Sequence, residues 1–175
     1  MKNVLFSVLF SFFLASSFAQ FSAGAYIGLF NSFSSDLEMQ YGAKASVKYD
    51  FEKIRVGGNI GYYVKSEGTQ TTETSSYTNP FSISAEYLFF QKGTYPEYRT
   101  INPHAGLELG IYRTGIITNI GSSSRNSFGG GPTVGAMMRF TEHLVLDAML
   151  KYHLVFRQGG DLSAFSAKIG FLYYF

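Results

Sequence analysis

The chain has 175 residues, with 14 Lys and Arg against 12 Asp and Glu and a formal net charge of +2, and it contains neither Cys nor Trp. That length suits one domain, the near-balanced charge without a basic run gives no basis for nucleic-acid binding, and zero Cys excludes disulfide frameworks and thiolate chemistry. Charged residues make up 15%, where about 25% is usual, too few to coat a soluble surface; yet polar residues break every apolar run past the N-terminus, which excludes a bundle of membrane helices of about 20 apolar residues each.

The first element is an export signal. Lys2 supplies a basic start, Val4 to Leu14 an apolar stretch, and Ser17-Phe18-Ala19 a small-x-small cleavage site. Cleavage is expected after Ala19, so residues 1–19 form the signal and 20–175 a single domain. A membrane-anchoring helix is the alternative, but the apolar stretch is short and strand-like alternation begins directly after the site.

From Phe21 onward the sequence alternates with period two, which places successive side chains on opposite faces of a sheet. Eight segments carry the pattern: about 21–30, 39–50, 55–65, 81–90, 101–111, 132–140, 144–156 and 164–175. In the second, Met39, Tyr41, Ala43, Ala45, Val47 and Tyr49 oppose Gln40, Gly42, Lys44, Ser46, Lys48 and Asp50. In the fifth, Ile101, Pro103, Ala105, Leu107, Leu109 and Ile111 oppose Asn102, His104, Gly106, Glu108 and Gly110. In the seventh, Leu144, Leu146, Ala148, Leu150, Tyr152, Leu154 and Phe156 oppose Val145, Asp147, Met149, Lys151, His153 and Val155.

No Asp, Glu, Lys or Arg falls on any apolar face. The opposite faces are rich in Gly and Ser with scattered ions, a composition that suits a narrow lumen better than the Lys- and Glu-rich exterior of a soluble lipocalin-like barrel. Outward aromatics gather at two levels, Phe21, Tyr49, Phe89, Phe140, Tyr173 and Phe175 at one end, Tyr41, Tyr62, Phe81, Phe156 and Phe165 towards the other. Aromatic girdles around an aliphatic band are the exterior of a membrane barrel. Connections 32–38, 66–80, 113–131 and 158–163 are expected on the outer side, and the shorter 51–54, 91–98 and 141–143 on the periplasmic side. Gly129-Gly130-Gly131-Pro132 is expected to mark re-entry into the sixth strand, and Pro103 removes a ladder donor near the start of the fifth. The fold class is therefore all-β: an eight-stranded antiparallel up-and-down transmembrane β-barrel.

The final run, Lys168-Ile169-Gly170-Phe171-Leu172-Tyr173-Tyr174-Phe175, resembles the terminal signature of outer-membrane barrel proteins: a polar residue, a Gly two on, then alternating aromatic or apolar residues ending in Phe. Residues 20–175 as a whole resemble the small eight-stranded outer-membrane barrels of the OmpA transmembrane-domain and OmpX kind. The resemblance implies a Gram-negative outer membrane with both termini periplasmic, surrounding lipid and lipopolysaccharide, and periplasmic chaperones and barrel-assembly machinery that read Lys168, Gly170, Tyr173 and Phe175. It carries no active site across, and the peptidoglycan-binding domain that follows the barrel in OmpA-type proteins is not expected here.

Ten ionisable side chains are expected in the lumen: Lys44, Lys48, Glu86, His104, Glu108, Arg139, Asp147, Lys151, His153 and Lys168. Eight strands enclose an interior that side chains fill, so these groups either plug it through ion pairs or, by breaking a pair such as Glu108 with Lys44 or Lys151, gate a narrow anion-leaning pore. Arg139 and Asp147 are expected to be diagonal neighbours across the 141–143 turn. Barrel deacylases, which the resemblance brings in as an alternative, place a Ser two residues after a lipid-facing His, and His104, His143 and His153 all lack it. Three His on separate elements without metal-ligand spacing give no metal site, and no cofactor is expected. The reading with most weight is a non-enzymatic barrel, with loops 66–80 and 113–131 free to contact an extracellular ligand through Tyr77, Ile116, Ile117, Ile120 or Phe128. A low-conductance pore and a lipid A-modifying enzyme are the alternatives.

Overall fold

In the computed structural model, residues 19–33, 39–69, 72–90, 100–157 and 161–175 are described. They form eight strands: β1 (Ala19–Ser32), β2 (Gln40–Phe51), β3 (Ile54–Thr69), β4 (Thr72–Leu88), β5 (Ile101–Thr118), β6 (Gly121–Arg139), β7 (Leu144–Phe156) and β8 (Leu162–Tyr174). Each strand pairs antiparallel with its sequence neighbour, and β1 pairs with β8 from Ser22↔Tyr174 to Ser32↔Ala164, closing the barrel. Phe175 N donates to Phe21 O at 3.1 Å, extending the seam to the last residue. Closure leaves the described strands without a free sheet edge. The expected signal lies in residues 1–18, outside those described, apart from Ala19, which opens β1.

Period two decides which face is which. Along β7 every second residue from Val145 to Val155 is buried, and the intervening ones from Leu146 to Phe156 are more exposed. The outward faces carry exposed apolar side chains on all eight strands, among them Ile27, Val47, Ile60, Ile83, Leu107, Val134, Leu150 and Ile169. Charged groups such as Lys48, Arg55 and Asp147 are buried instead, which inverts the usual arrangement of a soluble domain. Around the end that holds the start of β1 and the end of β8, here the terminal end, outward aromatics touch in series: Phe21–Tyr49 at 4.7 Å, Tyr49–Phe51 at 4.5 Å, Tyr87–Phe89 at 5.3 Å and Tyr173–Phe175 at 5.3 Å between ring centroids.

Connections at this terminal end are tight where described. Phe51 pairs with Ile54 across Glu52-Lys53, and Glu52 takes a positive φ of 43°. Between β6 and β7, Thr141 Oγ1 accepts from His143 N at 3.4 Å and Leu144 N at 3.0 Å, while Phe140 N donates to Leu144 O at 2.8 Å. The expected turn 91–98 lies outside the described residues.

The opposite end differs from expectation in two places. Segments 66–80 and 113–131 are not loops. The β3–β4 ladder continues to Thr69↔Thr72, and the β5–β6 ladder to Thr118↔Gly121, with only Asn119 and Ile120 between. In the β5–β6 tip Ile116 to Asn126 are exposed or half-buried on both faces, so the alternation that marks a half-buried strand disappears there while Thr and Ser still sustain the ladder. Gly129 to Pro132 accordingly sit inside β6 rather than at its start; Gly129, Gly130 and Gly131 lie opposite Gly110, Leu109 and Glu108 of β5. Pro103 is accommodated in β5, where its carbonyl still accepts from Phe89 N at 3.0 Å.

Candidate functional site

The inward side chains assemble into two ionic layers. Nearest the terminal end, the ends of β2 and β3 bring Asp50 opposite Arg55. Arg55 Nε and Nη2 donate to Asp50 Oδ1 and Oδ2 at 2.7 and 2.9 Å, a bidentate fork. Tyr174 from β8 crosses the lumen to donate to Asp50 Oδ2 at 2.9 Å, and Arg55 Nη2 also donates to Tyr174 Oη. Beside them Lys48 Nζ donates to both Glu86 oxygens at 3.0 and 3.1 Å and to Asp147 Oδ2 at 3.4 Å. Asp147 also accepts from Tyr26 Oη at 2.8 Å and lies 2.9 Å from His104 Nε2. Space for that ring comes from Gly135, where a Cβ would sit 2.5 Å from His104 Nε2.

The second layer crosses mid-barrel. Glu108 of β5 accepts from Lys44 Nζ at 3.2 Å and from Ser82 Oγ at 2.6 Å, and Lys151 Nζ lies 2.9 Å from its Oε1. Lys151 also donates to Tyr112 Oη at 2.7 Å, which leaves the Tyr112 proton for His153 Nδ1 at 3.0 Å. His153 Nε2 then donates to Ser166 Oγ at 2.8 Å. Every polar atom in that chain has a defined role with the imidazole neutral.

Apolar side chains close the lumen on either side of these layers. Tyr26, Leu88, Met137, Val145, Met149, Leu172 and Tyr174 cluster at the terminal end. Towards the hairpins, Phe30, Tyr63 and Ala164 form one cluster and Tyr112, Val155 and Leu162 another. The Phe30 ring meets the His153 ring edge-on at 5.0 Å.

Nine of the ten ionisable residues expected in the lumen are buried in it; Arg139 is the exception. It lies opposite Val145 at the end of β6, half-buried, and donates to Thr141 O at 3.0 Å and Glu142 O at 2.7 Å. It is diagonal to Asp147 in register, as expected, but Asp147 faces Lys48, His104 and Tyr26 while Arg139 braces the turn. The C-terminal residues separate by face: Lys168 points inward, Tyr173 and Phe175 outward, and Gly170 lies where a Cβ would come 2.7 Å from Tyr26 Cα. The expected ionic set omits Asp50, although it lies on the polar face of its segment, and Arg55, both beside a tight turn, and neither that set nor the exterior girdles include the inward tyrosines 26, 63, 112 and 174. Their signal was parity: each shares the inward phase of its strand.

The enzymatic alternative can be judged on geometry. Ser166 and His153 stand at the separation a nucleophile and base require, but the second imidazole nitrogen faces Tyr112 rather than a carboxylate, and both residues are buried. Among the described residues no group of three or more His, Asp and Glu is arranged to hold a metal ion.

No protein-family profile matches the sequence, and no curated protein matches it either. Solved structures do match in fold. The Neisserial surface protein A superposes with a TM-score of 0.66 at 19% identity, covering 90% of this chain and 97% of that one. Ail, the attachment invasion locus protein of Yersinia pestis, in complex with the heparin analogue sucrose octasulfate, gives 0.58 at 15% identity over 90% and 97% of the two chains. The outer membrane protein OprG of Pseudomonas aeruginosa gives 0.58 at 14% identity over 90% and 95%. The chain shares the fold of these small eight-stranded barrels.

Proposed function

We propose that the chain is an integral outer-membrane β-barrel, exported by residues 1–19, with a lumen plugged by ion pairs and without enzymatic activity. The observation that carries this reading is the inversion of polarity: exposed aliphatic faces on all eight strands around a buried ionic interior. An exterior of that kind is stable in hydrocarbon and aggregates in water, and the outer-membrane barrels of similar fold support the location. Lipid and lipopolysaccharide then surround the wall, both termini lie in the periplasm, and chaperones and the assembly machinery engage β8 through Lys168, Gly170, Tyr173 and Phe175.

The same reading gives the β3–β4 and β5–β6 hairpins a place outside the bilayer, as stiff surfaces for envelope integrity or extracellular contact. Ile120 at the tip of β5–β6 is 99% exposed, beside exposed Ile116 and Ile117, apolar groups that hydrocarbon does not explain beyond the membrane. The attachment role in the name of Ail supports looking for a partner there.

Two measurements test the proposal. Full-length protein expressed in a Gram-negative host is expected in the outer-membrane fraction, as a folded band that shifts on boiling; recovery in the soluble periplasm overturns the membrane assignment. Refolded barrel in a planar bilayer is expected to be electrically silent. Discrete steps altered by Glu108→Ala or Lys151→Ala would make it instead an anion-leaning pore with a charged gate, and a mass change in lipid A on expression would make it an enzyme.

A further inference from the structure

Three lysines converge on one carboxylate at mid-barrel. Lys44, Lys151 and Lys168 are 3%, 1% and 5% exposed. Glu108 gives one oxygen to Lys44 and the other to Lys151 and Ser82. Among the described residues no carboxylate oxygen lies within ion-pair distance of Lys168; the group it meets is the Tyr63 ring, whose centroid is 5.9 Å from Nζ. Asp50, Glu86 and Asp147 are engaged in the terminal layer by Arg55, Lys48, His104 and Tyr26.

The surplus extends to the whole interior. Among the described residues five buried basic side chains, Lys44, Lys48, Arg55, Lys151 and Lys168, face four buried carboxylates, Asp50, Glu86, Glu108 and Asp147. An isolated ion inside a barrel wall is costly, and a counter-ion removes that cost. Donors without acceptors occur at the same level. Tyr63 Oη and Thr133 Oγ1 are buried without a hydrogen-bond partner, and Thr133 stands directly opposite Lys151 in register. The register row from Lys168 to Tyr63 runs through Gly28 and Gly42, and the Lys168 stem lies over Gly28, where a Cβ would meet its Cγ at 2.9 Å.

We infer that this mid-lumen chamber binds one small monovalent inorganic anion of the halide class, held by Lys168 Nζ with Tyr63 Oη and flanked by Lys44 and Lys151. The excess of one basic side chain over the carboxylates sets the valence. The apolar belt of Phe30, Tyr63, Val155 and Leu162 on one side and the terminal ion layer on the other set the size, since a larger oxyanion would have to displace packed side chains. The site makes the barrel a chamber rather than a passage, and it stands whether or not the barrel resides in an outer membrane.

Bromide is the probe. The full chain is refolded in detergent, and its unfolding midpoint is followed against sodium bromide, with sodium gluconate holding ionic strength constant. A ligand that binds only the folded state raises the midpoint with the logarithm of its concentration, and that rise is expected for bromide and chloride. Crystals grown in bromide are expected to give an anomalous peak in contact with Lys168 Nζ. Lys168→Met removes the surplus cation, so it is expected to fold, to be more stable than the parent in halide-free buffer, and to lose both the halide response and the peak. Lys53→Met, at an exposed turn, keeps both. A midpoint indifferent to bromide, an equal response to sulfate, or a peak that survives in Lys168→Met overturns the proposal.

Discussion

Glu108 is the point at which the mid-barrel layer is most exposed to perturbation. Glu108→Gln keeps the volume and one acceptor for Ser82 Oγ, but removes the charge that Lys44 at 3.2 Å and Lys151 at 2.9 Å both face. Hydrogen bonds to a charged partner contribute about 1.5–3 kcal/mol each, and removing one member of a buried ion pair costs about 3–5 kcal/mol because its partner stays buried. With two lysines left facing each other and Lys168, the loss is expected in the upper part of that range. At a urea dependence of about 2 kcal/mol per molar, it moves the unfolding midpoint down by about 2 M. Far-UV circular dichroism of barrel refolded into lipid vesicles, in halide-free buffer, measures that shift. The companion variant replaces Lys44, Glu108 and Lys151 together by Met or Leu, and is expected to lie within a few kcal/mol of the parent or above it, since each paired ion is removed together with its partner. A shift below about 0.5 M for Glu108→Gln, or a triple variant less stable than the single one, would refute the view that pairing rather than packing holds this layer.

Three further outcomes follow from the same geometry. Ile83 is 69% exposed on the outer wall, directly opposite Leu109 and next to the level of Glu108; Ile83→Arg is expected to cost about 2–4 kcal/mol in vesicles if that wall faces mid-bilayer, and almost nothing on a soluble barrel. Arg55→Lys loses the two-pronged contact with Asp50 and is expected to cost about 1–3 kcal/mol, and a cycle with Tyr174→Phe measures how much of that passes through the tyrosine. At Gly28 a Cβ would lie 2.2 Å from Ala167 O and 2.9 Å from Lys168 Cγ; Gly28→Ala is therefore expected to destabilise by about 1–3 kcal/mol and to weaken the heat-shifted band, because the backbone contact lies on the β1–β8 seam.

Reading the sequence succeeded where one face of a strand is apolar and the other is not. All eight strands, their order and the inward phase of Lys44, Glu108, Lys151 and Lys168 follow from alternation alone, because a one-residue slip would exchange the two faces. It failed where that contrast vanishes. The hairpin extensions within 66–80 and 113–131 carry no regular apolar–polar alternation, so their Ser and Thr looked like loop. The partners within the lumen were also hidden, because they are set by strand stagger. Tyr174 and Asp50 meet although 124 residues separate them, and nothing local in either strand encodes that distance. Arg139 failed for a third reason: it keeps the inward parity but sits at the last ladder position, where turn carbonyls are nearer than the lumen.

The seam between the first and last strands governs when the interior becomes an interior. Seven of the eight strand pairings join neighbours in sequence, whereas β1 and β8 meet only after the entire sheet has curled. Until then Tyr174 on β8 lies away from Asp50 and Arg55, and the ions on β2 to β7 remain hydrated. The dehydration of the whole charged column is thus concentrated in one late event, the zipping of residues 22–32 against 164–174, rather than spread over strand-by-strand growth. A sheet with seven strands in place gains little of the final stability, and its ions still favour water. Folding of this chain is accordingly expected to be all-or-none, with the rate set by ring closure and the last residues of the sequence deciding whether it completes.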